Sequence, residues 1–193
     1  MDKFLLKVAD WHNKILREKG LINDENYSDI DMVFREILYN AIVTAFFLLL
    51  GLLFSRFNEM LMMFLSFNVI RNFCGGWHSY GNLNFCIFLS IMVFTLSIFL
   101  AVISFNMFSF WRILAILSII YIFYRAPYDK PEKQYQIYEM KFDSLMITTL
   151  FFILSNILNN LGLHTCATTI FFAIIFSALL MNRRICSVLE GLK

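Results

Sequence analysis

The sequence predicts an all-α integral membrane protein: six hydrophobic segments, the second of them short, preceded by an amphipathic interfacial helix. Three observations carry this. The chain has 193 residues, is 60% hydrophobic with 23 Phe, and has a mean hydropathy of +0.69. No water-soluble interior of that size holds so much apolar surface. The apolar residues come in continuous runs rather than alternating, which disfavours a β-barrel. And the centres of these runs carry no Asp, Glu, Lys or Arg.

The elements follow in order. Over residues 1–20, Phe4, Val8, Trp11 and Ile15 make one stripe, while Lys3, Lys7, Lys14, Arg17 and Lys19 could meet anionic headgroups. A helix packed on the rest of the protein explains the same pattern equally well. Gly20 and residues 23–27 end it, and Ser28 with Asp31 resembles a capping box that starts the next helix. Residues 37–55 carry no charge and are long enough to span. Between Glu59 and Arg71 lie only 11 uncharged residues, so this second segment is either a short helix with a snorkelling Arg71 or a re-entrant piece. Residues 83–105 and 108–124 are further spans. Residues 144–182 lack Asp, Glu, Lys and Arg; as one helix they would run about 58 Å at ~1.5 Å per residue, so they must fold back. Asn159-Asn160-Leu161-Gly162 supplies the turn.

One domain is expected over 1–193: a cytoplasmic or interfacial N-terminal region (1–27), a six-segment bundle (28–182) and a cytoplasmic tail (183–193). The first 36 residues are heavily charged, so no cleavable signal peptide is expected. Of the 16 Lys and Arg, only Arg56 and Arg112 fall on one face; the rest lie in the N-terminal region, the 71–82 and 125–143 connections and the tail. The positive-inside rule then puts both termini and both of those connections in the cytoplasm. A net charge of +2 gives no reason to expect a nucleic-acid partner.

Residues 71–86, RNFCGGWHSYGNLNFC, do not suit a plain connection. Gly75-Gly76 permits positive φ or a close backbone approach, and its N–H groups could hold an oxyanion. His78 has the pKa range of a general base or acid. Cys86 falls about one turn into the third segment, where the positive end of a helix dipole favours a thiolate. Cysteine, histidine and adjacent donors are the minimum set for nucleophilic acyl transfer. A lone cysteine and histidine at an interface are commonly structural, and that bland reading stands beside the chemical one. Cys74 is the rival nucleophile, but Gly75-Gly76 disfavours a continuous helix that would align it with His78. His12 reads as a plain interfacial residue; Asn68, Asn156 and His164 read as helix–helix contacts. Four cysteines without zinc-type or framework spacing, and no HExxH, give no metal site and no cofactor.

Arg71…Gly75-Gly76-X-His78…Cys86, with Ala126-Pro127-X-Asp129-X-Pro131-X-Lys133 in the fourth-to-fifth connection, resembles the accessory gene regulator B (AgrB) family over nearly the whole chain. Seven residues separate His78 from Cys86, where six are usual in that family; the extra residue at Gly81-Asn82 can be absorbed before the helix begins. The resemblance implies a membrane cysteine endopeptidase of Gram-positive bacteria that processes an AgrD-like quorum-sensing propeptide. In that reading His78 deprotonates Cys86, the thiolate releases the propeptide's acidic tail, and a side chain of the bound peptide closes a thiolactone or lactone. Arg71, Lys130 and Lys133 are candidate clamps for the acidic tail, with topology setting as their alternative role. Asn82, Asn84 and Asp129 are candidates for a third group. The partners implied are the propeptide and the bilayer, with a homodimer left open. A peptide exporter without peptidase chemistry is the competing reading; it would carry paired charges or broken helices at mid-membrane.

Overall fold

The computed structural model describes residues 11–12, 14–19, 27–74, 83–127, 134–182 and 187. Among them it is all helical. Six long helices follow one another: α1 (Tyr27–Leu53), α2 (Phe57–Cys74), α3 (Leu83–Ile103), α4 (Phe108–Arg125), α5 (Gln134–Asn160) and α6 (His164–Leu180), with a 3-10 turn at Phe105–Met107 before α4. Each hydrophobic segment read from the sequence falls largely on one of them, with α1 and α5 beginning about ten residues ahead of their apolar runs. The first begins at Tyr27, one residue ahead of the expected cap at Ser28.

α6 is the centre. It packs against α2, α3, α4 and α5, and is buried almost without break from Cys166 to Ala178. Its sequence explains this: it has no charge, and Ala167, Thr168, Ala173, Ser177 and Ala178 are small enough to let neighbours close in on several sides. α4 and α5 are the reverse. Ile113, Leu117 and Ile120 on α4, and Leu150, Ile153 and Ile157 on α5, point outward. Residues 108–125 and 137–160 are both long and apolar enough to cross a bilayer, yet only 11% of the first and 17% of the apolar 18-residue stretch of the second are buried within the bundle. Two helices apolar on all sides but buried on one are what a lipid solvent produces. In water, so large an apolar patch would be exceptional. The apolar parts of α1, α3 and α6 described at 41–53, 91–103 and 164–180 are shorter.

The second segment is one unbroken helix. α2 has 18 residues, about 27 Å at ~1.5 Å each, and includes Arg71, as the short-helix reading expects. Its charged start is neutralised rather than solvated. Glu59, 8% exposed, accepts hydrogen bonds from Arg56 Nη1 and Thr165 Oγ1, both at 3.0 Å. A buried carboxylate is tolerated on those terms.

Buried hydroxyls are satisfied within the helices. Thr148, Thr168, Thr169 and Ser177 each donate to a carbonyl three or four residues back in their own helix. Asn68 and Asn156 do the same, toward Phe64 and Phe152. These bonds stay within one helix, since in an apolar setting a nearby lone pair is on the preceding turn of the same helix. His164 is exposed and bonds Asn159 across the α5–α6 turn at 2.8 Å. Ser155 does cross, donating to the carbonyl of Ala167 at 2.7 Å.

In the described part of the N-terminal helix, the His12 ring stacks on Phe34 of α1, with centroids 3.7 Å apart and planes 2° from parallel. His12 thus packs on the bundle. Trp11 is 65% exposed, and Lys14 and Lys19 are also exposed. One face of this helix rests on protein and the other is open.

Candidate functional site

The two ends of the bundle sort the connections. At one end the Arg56–Glu59–Thr165 contacts join the α1–α2 turn to the start of α6. α2 and α6 therefore run parallel from there. At the other end Cys74 reaches the Ser144 hydroxyl of α5 and shares a core with Ala126, Ala178 and Met181. So the connections after Cys74 and after Pro127, and the chain beyond Asn182, all leave from this second end. The sequence assigned these same segments to one face.

Gly75, Gly76, His78, Lys130 and Lys133 lie outside the described residues, as do Asn82 and Asp129. Cys86 and Asn84 are described through their backbone, in the first turn of α3. The described residues do fix the height at which Cys86 sits. α3 runs back along α2, and the Phe67 and Phe94 rings meet edge to face, with centroids 5.3 Å apart and planes at 80°. From that contact Cys74 is seven residues along α2 and Cys86 eight residues back along α3. At ~1.5 Å per residue both lie about 11 Å from the joint. The backbone of Cys86 is level with the place where α2 ends and the Gly-Gly stretch begins. It also sits where the first N–H groups of α3 have no partner within the helix and the helix dipole is positive.

Arg71 is half-buried, its guanidinium carbon 5.9 Å from the centre of the Phe67 ring. That is a cation–π distance. Cys74 has no exposed surface, and Cys166 is 6% exposed near the opposite end, beside Glu59. Neither thiol presents itself to an incoming carbonyl. Among the described residues no group of three or more His, Cys, Asp or Glu could hold a metal ion.

Sequence reasoning missed two features. The aromatic joint of Phe47, Phe64, Phe67 and Phe94 was hidden among 23 phenylalanines, none of which stands out by type. The Arg56–Glu59 pair has i,i+3 spacing, which is a readable signal. Its third member, Thr165, lies 106 residues away and leaves none.

A bundle that buries an uncharged helix and turns the apolar sides of two others outward belongs to the class of helical membrane proteins. The family model for accessory gene regulator B matches residues 8–182, and the chain belongs to that family. Membership makes it a membrane protein with a role in quorum-sensing peptide processing. No curated protein and no solved structure matches the chain.

Proposed function

We propose that the protein is a membrane cysteine endopeptidase that cleaves a small amphipathic, AgrD-like propeptide and closes its product into a ring. The single observation that carries this reading is the register of α2 and α3. It brings the backbone of Cys86 level with the end of the helix that leads into Gly75-Gly76 and His78. Cys74, the alternative nucleophile, is fully buried.

The steps balance as acyl transfer. The His78 imidazole takes the proton of the Cys86 thiol, and the thiolate attacks a peptide carbonyl. Backbone N–H groups at Gly75-Gly76 and at the start of α3 suit the oxyanion that forms. The C–N bond breaks, the imidazolium gives its proton to the departing amine, and the acidic tail leaves. A thiol or hydroxyl of the bound peptide then attacks the Cys86 thioester, Cys86 departs as a thiol, and a thiolactone or lactone results. Water must be kept from the thioester, or hydrolysis competes. A site at the edge of a lipid-embedded bundle favours that exclusion.

In this reading all six helices cross a cell membrane of a Gram-positive bacterium. α2, at about 27 Å, approaches the ~30 Å hydrocarbon thickness. The end carrying Cys74, Cys86 and the 128–133 connection faces the cytoplasm, where the basic residues concentrate and where a ribosomal product is delivered. Arg71, Lys130 and Lys133 are the cations this reading assigns to its acidic tail.

The test is cleavage in membranes with the propeptide co-expressed. Cys86→Ala and His78→Ala each abolish cleavage while the protein still accumulates, and a Cys86-linked acyl peptide is trapped by mass spectrometry. Normal cleavage by either variant defeats the assignment.

A further inference from the structure

We infer that Phe94 is a positioning residue for Cys86: its ring, gripped by α1 and α2, sets the axial height of the helix that carries the nucleophile. The inference rests on the peptidase reading above. Among the described side chains of α3, Phe94, Ser97, Ile98 and Ala101 are buried. Phe94 is the one nearest to Cys86, two turns away. Its ring lies 4.3 Å from that of Phe47, 5.3 Å from Phe67 and 6.2 Å from Phe64, centroid to centroid. Three rings from two helices therefore hold one ring of α3. Ser97 and Ala101 are too small to resist sliding and Ile98 is a single branched side chain in the same core, whereas Phe94 is a large ring seated among three others and lies nearer to Cys86. Ile91 and Ile98 pack on the same core, each about one turn from Phe94, and α3 also packs on α6; Trp111 Nε1 donates to Ser104 Oγ at 2.8 Å just past the far end of the helix.

Phe67 adds the link to the loop. It stands two turns before Cys74 and carries the guanidinium of Arg71 at 5.9 Å. One aromatic contact thus joins the helix leading to His78 with the helix leading to Cys86. A displacement of about 1 Å at such a contact can cost roughly 100-fold in rate, because reacting atoms must meet at bonding distance.

The experiment uses the full chain reconstituted in vesicles, a synthetic propeptide with an amphipathic start and an acidic end, and kcat and KM expressed per folded molecule. Phe94→Leu is expected to lower kcat roughly 10- to 100-fold with KM changed less than about threefold. Phe67→Leu, which removes the partner ring, moves kcat in the same direction and decides the matter should Phe94→Leu fail to accumulate. Phe171→Leu is the control: an equally buried ring, held by Phe108 of α4 and Phe152 of α5, whose loss leaves kcat unchanged. A kcat within twofold of the parent for Phe94→Leu overturns the inference, as does an equal fall for Phe171→Leu. Cys86→Ala, run alongside, separates the two ideas. If it still cleaves, the peptidase reading itself falls; if it is inactive and Phe94→Leu is not impaired, only the positioning role falls.

Discussion

The two ends of the bundle are built on opposite plans. At the end marked by Arg56 and Thr165 the connections are short: residues 54–56 join α1 to α2, and residues 161–163 join α5 to α6. Their polar groups are spent on one another. Glu59 binds Arg56 and Thr165, and His164 binds Asn159. At the other end, residues 75–82 and 126–133 make longer connections and carry Gly-Gly, His78, Lys130 and Lys133. A lipid-embedded site needs polar groups that are not consumed by the fold. The first end fixes the helices so that the second can hold groups for chemistry. The comparison predicts that changes at the first end act on stability and spare turnover.

Glu59→Ala should produce the largest such effect. It removes the acceptor for both Arg56 and Thr165 and leaves the α1–α2 turn and α6 unjoined. A fully buried pair broken on one side costs about 3–5 kcal/mol. The Arg56 side chain is 41% exposed, so screening brings the expectation down to about 2 kcal/mol. Glu59→Gln keeps an acceptor for Thr165 and should lose about half as much. Unfolding in mild detergent measures this, and cleavage per folded molecule should stay at the parent level. A selective loss of turnover in either variant would break the division between the two ends.

Gly51→Ala comes next. A Cβ built on Gly51 would stand 3.1 Å from Met60 Cβ and Cγ and 3.1 Å from the Cα of Phe57. Rotation can move Met60 Cγ aside, but Met60 Cβ and the Phe57 Cα are fixed to the α2 backbone. Alanine gains about 1 kcal/mol of helix propensity, and crowding a packed contact costs about 1–3 kcal/mol. The net expectation is a loss of about 1 kcal/mol, again without effect on turnover. Increased stability would mean that α2 has room to move from α1, and the first end would be looser than it looks.

The sequence made some of this legible and hid the rest for physical reasons. Six helices, the turn at Gly162 (φ 82°) and the shared end of the two longer connections follow from where charge is excluded and where Gly falls. Lipid punishes a buried charge severely enough to leave that pattern behind. The pairing of helices leaves no such trace. Every segment is apolar all round, so no stripe says which face meets which neighbour, and α6 could not be named as the centre. For a related reason the carbonyls that Asn68 and Asn156 bond, those of Phe64 and Phe152, are not legible, since residue type does not say which carbonyl lies nearest. At the site, residue types and spacing marked Cys86 and His78. The height of α3 against α2 depends on Phe67 meeting Phe94, a choice among phenylalanines that only packing makes.

Ser155→Ala is the smallest change and probes the joint between α5 and α6. The Ser155 hydroxyl donates to the carbonyl of Ala167, one of the described side-chain bonds that leave their own helix. In hydrocarbon one might expect its loss to be severe. The carbonyl it serves belongs to α6, however, where a helical carbonyl already accepts from the N–H four residues on. No buried acceptor is left without a partner, and alanine fits where a serine stood. Hydrogen bonds between membrane helices average about 0.6 kcal/mol, and a loss of that order is expected in detergent unfolding. A loss above about 2 kcal/mol would mean that the α6 carbonyl depends on the serine, through a local opening of the α6 ladder at Ala167. The central helix would then be held by its neighbours more than by its own backbone, and the fixed end of the bundle would extend further toward the site than the Arg56–Glu59–Thr165 contacts alone indicate.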